Sequence, residues 1–131
     1  KEARLGVEII EKEFQKVVFN DKTYLLHESS SIDIKEKERF IFLSAYDEYI
    51  IAYKYRGDVL QASHNSKAFT NGVFFPLIQQ NGRATGNWKM TLKRRNIAIN
   101  TSYFDNNAPN KFAAAEEKAR LQLISFHNNG K

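Results

Sequence analysis

The stretch from Leu43 to Leu60, LSAYDEYIIAYKYRGDVL, sets two adjacent carboxylates, Asp47 and Glu48, inside an apolar and aromatic run. A carboxylate held among tyrosines and aliphatics has its neutral form favoured by desolvation, which is one way to make an acid catalyst. Adjacent residues, however, diverge by about 100° around a helix and face opposite ways on a strand, so the two cannot work as one acid–base pair. The chemistry that suits both is structural. One carboxylate caps a helix N-terminus, where the dipole favours negative charge, and the other pairs with Lys54 or Arg56. An enzyme using either acid singly would need a pocket around it.

Other chemistry is poorly supplied. His27, His64 and His127 lie far apart and form no HxH or HxxxH pair, so the sequence predicts neither a metal site nor a cofactor, and His64 reads as a loop residue. There is no GxSxG and no phosphate-binding loop, and the glycines of NGRATG suit hairpin geometry rather than a strand-to-helix phosphate cradle. What remains is positive charge. Lys89 and Lys93 alternate onto one face of a strand, Arg94 and Arg95 occupy the adjoining turn, Arg83 stands by the other hairpin, and Lys54 follows the aromatic run. A cationic hairpin tip can reach DNA phosphates or enter a groove. The same pattern equally suits a solvated strand edge blunted against aggregation.

These side chains need elements to hold them. Ala3, Val7, Ile10 and Phe14 recur at helical steps and predict a helix over residues 2–15. Asn20 and Asp21 separate two β-prone runs and predict a hairpin over 17–26. The polar HESSSIDIKEKE is a connection, and RFIFLSA reads as a strand. Tyr46, Tyr49 or Ile50, and Tyr53 fall at helical spacing, with Gly57 as a stop and an extended segment as the rival. Residues 72–104 predict a three-stranded antiparallel meander turning at Asn81-Gly82, a pair that accepts the positive φ of a type I′ turn. In its middle strand Gly86, Trp88, Met90 and Leu92 face a core, and Asn87, Lys89, Thr91 and Lys93 face water. Pro76 marks an edge or a strand beginning. A last helix carries Phe112, Ala115, Ala119, Leu123 and Phe126 on one stripe, and HNNGK forms a tail.

Length and composition bound the whole. The 131 residues suffice for a core without staples, and the absence of cysteine excludes disulfides, thiolate metal sites and cysteine nucleophiles, which fits a reducing cytoplasm. No apolar run approaches a bilayer span, and the N-terminal KEARLGVEIIEKEF does not read as a signal peptide, so no membrane partner is expected. The net charge of +5 favours polyanionic partners. The N-terminal helix begins without a capping residue, as a cut from a longer chain would.

Two strings taken together, FLSAYDEYIIAYKYRGDVL and NGVFFPLIQQNGRATGNWKMTLKRR, resemble the C-terminal part of the bacterial winged-helix DNA-binding-domain family that includes the AlkZ and YcaQ DNA glycosylases. The matching pieces are Asp47, Glu48 and Tyr49, then Tyr53 and Arg56, then Pro76, then Gly82, Arg83, Gly86 and Trp88. The chain departs from the family pattern at Tyr55, where an acid is common, and at Asn87, where a small hydroxyl is common. The resemblance implies an α+β fold: residues 1–27 as the helix and hairpin ending a winged-helix module, and 28–131 as an antiparallel β-barrel-like domain with flanking helices. It further implies double-stranded DNA as partner beside absent N-terminal winged-helix domains, a nucleoid-associated cytoplasmic location, and a parent hydrolysing alkylated or crosslinked bases from DNA. Catalytic glutamine motifs in that family lie upstream, and Gln79 and Gln80 do not match them, so no catalytic residue is expected in this chain. The expected DNA contacts are Lys89, Lys93, Arg94, Arg95, Arg83 and Lys54, with Asp47, Glu48 and Arg56 organising the barrel. A barrel serving only as a scaffold or protein-interaction module is the alternative.

Overall fold

A computed structural model describes residues 2–27, 29, 38–93, 96–105 and 110–129. The chain divides into two compact units, Lys1–Glu36 and Lys37–Lys131. In the first, helix α1 (Glu2–Ile10) runs through a 3-10 turn, Glu11–Glu13, into a hairpin of β1 (Phe14–Phe19) and β2 (Lys22–His27). The expected helix therefore ends five residues early, because Phe14 serves the hairpin instead. It pairs with His27 in register and packs edge-on against its ring at 5.4 Å. Asn20 and Asp21 both take positive φ, 47° and 58°, as a type I′ turn demands. Leu5, Val7, Ile9 and Ile10 on α1 are all exposed.

The second unit is built on an open antiparallel sheet in the order β3-β6-β7-β8, formed by β3 (Phe40–Leu43), β6 (Leu77–Gln80), β7 (Arg83–Lys93) and β8 (Asn96–Tyr103). Before β6 lie the one-turn helix α2 (Glu48–Ile51), a 3-10 turn at Ala62–His64, the short helix α3 (Asn65–Ala68), and a small hairpin of β4 (Phe69–Thr70) and β5 (Val73–Phe74). Helix α4 (Ala113–Asn129) follows the sheet.

The sheet does not close into a barrel: among the described residues β3 and β8 stand at opposite ends of the order and do not pair. Four strands are too few to wrap around a packed interior, and β3, with four residues, matches only part of the eleven-residue β7. One face is covered by a helix instead. Phe40, Ile78 and Phe112 are buried there with Phe42, Trp88, Tyr103, Ala115 and Ala119 packed against them. On the other face Leu43, Leu77, Ala84 and Phe104 bury with Ile50, Leu60 and Ala68 from the preceding loops and helices.

Register sets which residues do this. Leu43, Leu77, Asn87 and Ser102 form one cross-strand row, and Phe42, Ile78, Gly86 and Tyr103 form the next. A Cβ on Gly86 would lie 2.5 Å from the Ser102 carbonyl oxygen, so only glycine fits that row. The expected first strand of the meander is split at Phe75-Pro76: β5 pairs with β4 across an Asn71-Gly72 turn, and β6 begins afresh after the proline. Core packing also stops short of the strand ends, since Leu92 is 53% exposed. Phe112, which ends a 3-10 turn just before α4, and Ala115 and Ala119 on α4 pack inward as expected, but Phe126 is 79% exposed. The helix continues through His127 and Asn128, residues expected in a tail.

Candidate functional site

Of the acidic pair, Asp47 does the structural work. Asp47 sits in extended backbone immediately before α2, and its Oδ1 accepts the Tyr49 backbone N–H at 3.0 Å, satisfying one orphan donor of the first turn. Glu48 is exposed, and no ion pair joins it to Lys54 or Arg56 among the described residues. Arg56 takes other partners. Its Nε donates to the Ile50 carbonyl at 2.6 Å, and its guanidinium lies 5.3 Å and 5.4 Å over the rings of Phe69 and Phe74. The expected carboxylate–arginine pair is thus replaced by a backbone carbonyl and two aromatic faces. The cause is distance along the fold: Asp47 is committed to the helix start and Arg56 reaches the helix end.

The remaining motif residues tie this loop to the sheet. The Tyr49 hydroxyl donates to the Gly82 carbonyl at 2.7 Å, and burial pushes its pKa up against a hydrogen bond with Gln79 that pulls it down. Gly82 takes φ +82° in the turn with Asn81, whose side chain accepts the Arg39 N–H at 2.8 Å. Trp88 Nε1 donates to the Leu43 carbonyl at 2.7 Å, and the Pro76 carbonyl accepts from both Trp88 N–H and Asn87 Nδ2. Tyr53 is 58% exposed.

A polar network missed by the sequence reading fixes α4 to β8. Glu116 Oε2 accepts from the Tyr103 hydroxyl at 2.6 Å, and Arg120 donates to Glu116 Oε1, to Thr101 Oγ1 and to the Ile99 carbonyl. Burial pushes the Glu116 carboxyl up, but hydrogen bonds from Tyr103, Arg120 and Thr101, with the charge of Arg120, outweigh it and leave the pKa lowered. Burial first, then the bond to Glu116 and its charge, raise the Tyr103 phenol. The only sequence signal was the i,i+4 spacing of Glu116 and Arg120.

The cations expected at an interface are not all on one face. Arg83 stands in a row with Phe40 and Gln80, and Lys89 alternates onto the opposite face, paired in register with Asn100. Lys54 lies 5.6 Å over the ring of its neighbour Tyr55. Lys93 pairs with Asn96 at the end of β7, and Arg94 and Arg95 lie outside the described residues.

On the Lys89 face the sheet and α3 enclose an open groove of about 830 Å³. The strands contribute Asn87, Lys89 and Ser102, α3 contributes Ser66 and Lys67, and Phe75, Pro76 and Phe104 supply apolar surface. Lys67 donates to the Phe104 carbonyl at 2.6 Å and lies 5.8 Å over that residue's ring, so α3 presents a second cation beside Lys89 that the strand pattern alone does not reveal. Behind the groove His64 is buried rather than in an open loop. Its Nε2 lies 3.0 Å from Asp105 Oδ1, and its ring packs 4.9 Å from Phe104. Among the described residues no three His, Asp or Glu side chains converge as metal ligands would, and no helix is long and apolar enough to cross a membrane.

Neither a protein-family model nor a curated protein matches the sequence. The structure is similar to that of Streptomyces sahachiroi DNA glycosylase AlkZ, with a TM-score of 0.64 over 91% of this chain at 15% identity. The chain spans 33% of the length of that protein. The likeness is one of fold: this is an α+β arrangement of AlkZ type.

Proposed function

We propose that this chain is a DNA-contacting part of a winged-helix protein related to DNA repair, a parent that removes alkylated or crosslinked bases. The observation that carries the reading is the likeness to a DNA glycosylase over nearly the whole chain, joined to a face on which Lys67 and Lys89 stand without a neighbouring acid in the groove lining. The helix and hairpin of residues 2–27 are the end of a winged-helix module in this reading. Residues 28–131 supply phosphate contacts and shape in this reading, with Lys89, Lys93, Arg94 and Arg95 as the main contacts and Arg83 and Lys54 peripheral. Bond cleavage belongs to residues outside this chain.

The test is binding of a fluorescent duplex across a salt series. Each neutralised phosphate contributes a slope of about −0.9 in log K against log salt, so removing Arg94 and Arg95 together flattens the slope by about two. Affinity indifferent to salt, or a slope unchanged by that double replacement, overturns the reading. A second reading, a protein-interaction module, is favoured by the exposed aromatic surface of Tyr46, Tyr53 and Tyr55, and predicts no duplex binding at low salt.

A further inference from the structure

We infer that the groove between α3 and the β7–β8 strands binds one unpaired nucleotide, its base against the aromatic surface and its phosphate at the lysines. The inference rests on the nucleic-acid reading above but concerns a different kind of contact, with a base as well as a backbone.

Three features point the same way. The first is charge: the groove lining holds two lysines and no carboxylate, so its ligand carries negative charge. The second is surface. Phe75 and Pro76, both half-buried, with the edge of the otherwise buried Phe104, give the groove a predominantly apolar wall, which a bare phosphate or an extended backbone leaves unused and a planar base fills. The third is hydrogen-bonding capacity. Asn87 spends its Nδ2 on the Pro76 carbonyl at 3.3 Å, which leaves its Oδ1 as an acceptor among the described residues. Ser66, Ser102 and Lys89 likewise make no side-chain hydrogen bond among the described residues, and all three are exposed. An acceptor, two hydroxyls and a cation around an apolar wall match a base edge and a phosphate. Lys67 is held by the Phe104 carbonyl beside that ring, so its charge is positioned before any ligand arrives. A volume of about 830 Å³ lies in the range of small-molecule sites. A duplex cannot enter such a groove with its bases stacked. The nucleotide is therefore free, or a single-stranded or unstacked position of a strand.

The experiment is an NMR titration of the whole chain with thymidine 5′-monophosphate, thymidine, inorganic phosphate and a five-residue oligothymidylate. The monophosphate is expected to shift the amide signals of Asn87, Lys89 and Ser102, and to bind more tightly than either thymidine or phosphate alone. Ser102→Trp, which fills the groove from an exposed strand position, lowers that affinity at least about tenfold, as losing one base stack would. Lys89→Ala weakens the monophosphate but not thymidine, a second readout should the tryptophan variant fold poorly. Oligonucleotide binding tighter than monophosphate binding identifies a strand as the source, and equal affinity identifies the free nucleotide. Groove signals that do not move, or that move as far with phosphate alone, overturn the inference. The two readings fail separately: duplex affinity indifferent to salt overturns the duplex reading whatever the monophosphate does, and groove signals that stay still with monophosphate overturn this inference whatever the duplex salt series shows.

Discussion

Replacing Arg120 with methionine isolates the network that holds α4 on the sheet. Arg120 places Nε 3.1 Å and Nη2 2.5 Å from Glu116 Oε1, and Nη2 a further 2.9 Å from Thr101 Oγ1. The two charged side chains are 23% and 16% exposed, so they are largely but not wholly withdrawn from water. Removing one partner of a fully buried pair costs about 3–5 kcal/mol. Residual solvent access and the surviving Tyr103 bond lower the expected cost to about 2 kcal/mol, a fall of roughly 10 °C in Tm for a unit of this size.

The pH dependence carries the sharper test. Native Glu116 is depressed below its ordinary value, so its contribution is fully present above the unfolded pKa and is lost as pH falls through the native one. Without Arg120 the native pKa rises, the variant loses less on acidification, and the gap between variant and parent narrows below about pH 4. Glu116→Gln in the R120M background recovers about 1 kcal/mol by removing the stranded charge. Thermal melts followed by circular dichroism at pH 7 and pH 3 read all three proteins. A gap that is absent at pH 7, or unchanged at pH 3, refutes the role given to this pair.

Gly86→Ala should destabilise by about 3 kcal/mol, measured by urea unfolding, because the new methyl meets backbone on β8 that cannot move without breaking register; a loss below about 1 kcal/mol would contradict the close approach. Asp47→Ala should cost about 1 kcal/mol, the worth of a helix cap, and Asp47→Asn much less. A cost of 3 kcal/mol or more in the same assay would instead favour a buried charge pair with Arg56, contrary to its bond with Ile50.

Local chemistry made much of the fold legible. Asn20-Asp21 and Asn81-Gly82 announced their turns because few residue pairs accept two positive φ angles, and alternation along β7 correctly separated Trp88 from Lys89. The small hairpin at Asn71-Gly72 escaped because strands of two residues carry no period. Barrel closure was unreadable for a different reason: it depends on which strand edges meet, and a sequence records strands rather than edges. Site chemistry followed the same division. A cap at Asp47 is a local fact, legible from a carboxylate placed just before a helical spacing. Arg56 on Phe69 and Phe74, His64 beside Asp105, and Lys67 brought to the face of Lys89 all join residues far apart in the chain. No spacing rule reaches them.

Amide shifts mapped on titration with a short duplex read the proposed contact of the β7–β8 face with DNA residue by residue. Changes are expected along Lys89–Lys93 and at residues 94 and 95, with little change at Tyr53, Tyr55 and the exposed side of α4. Shifts concentrated at those tyrosines, or spread evenly over both faces of the sheet, would contradict that contact.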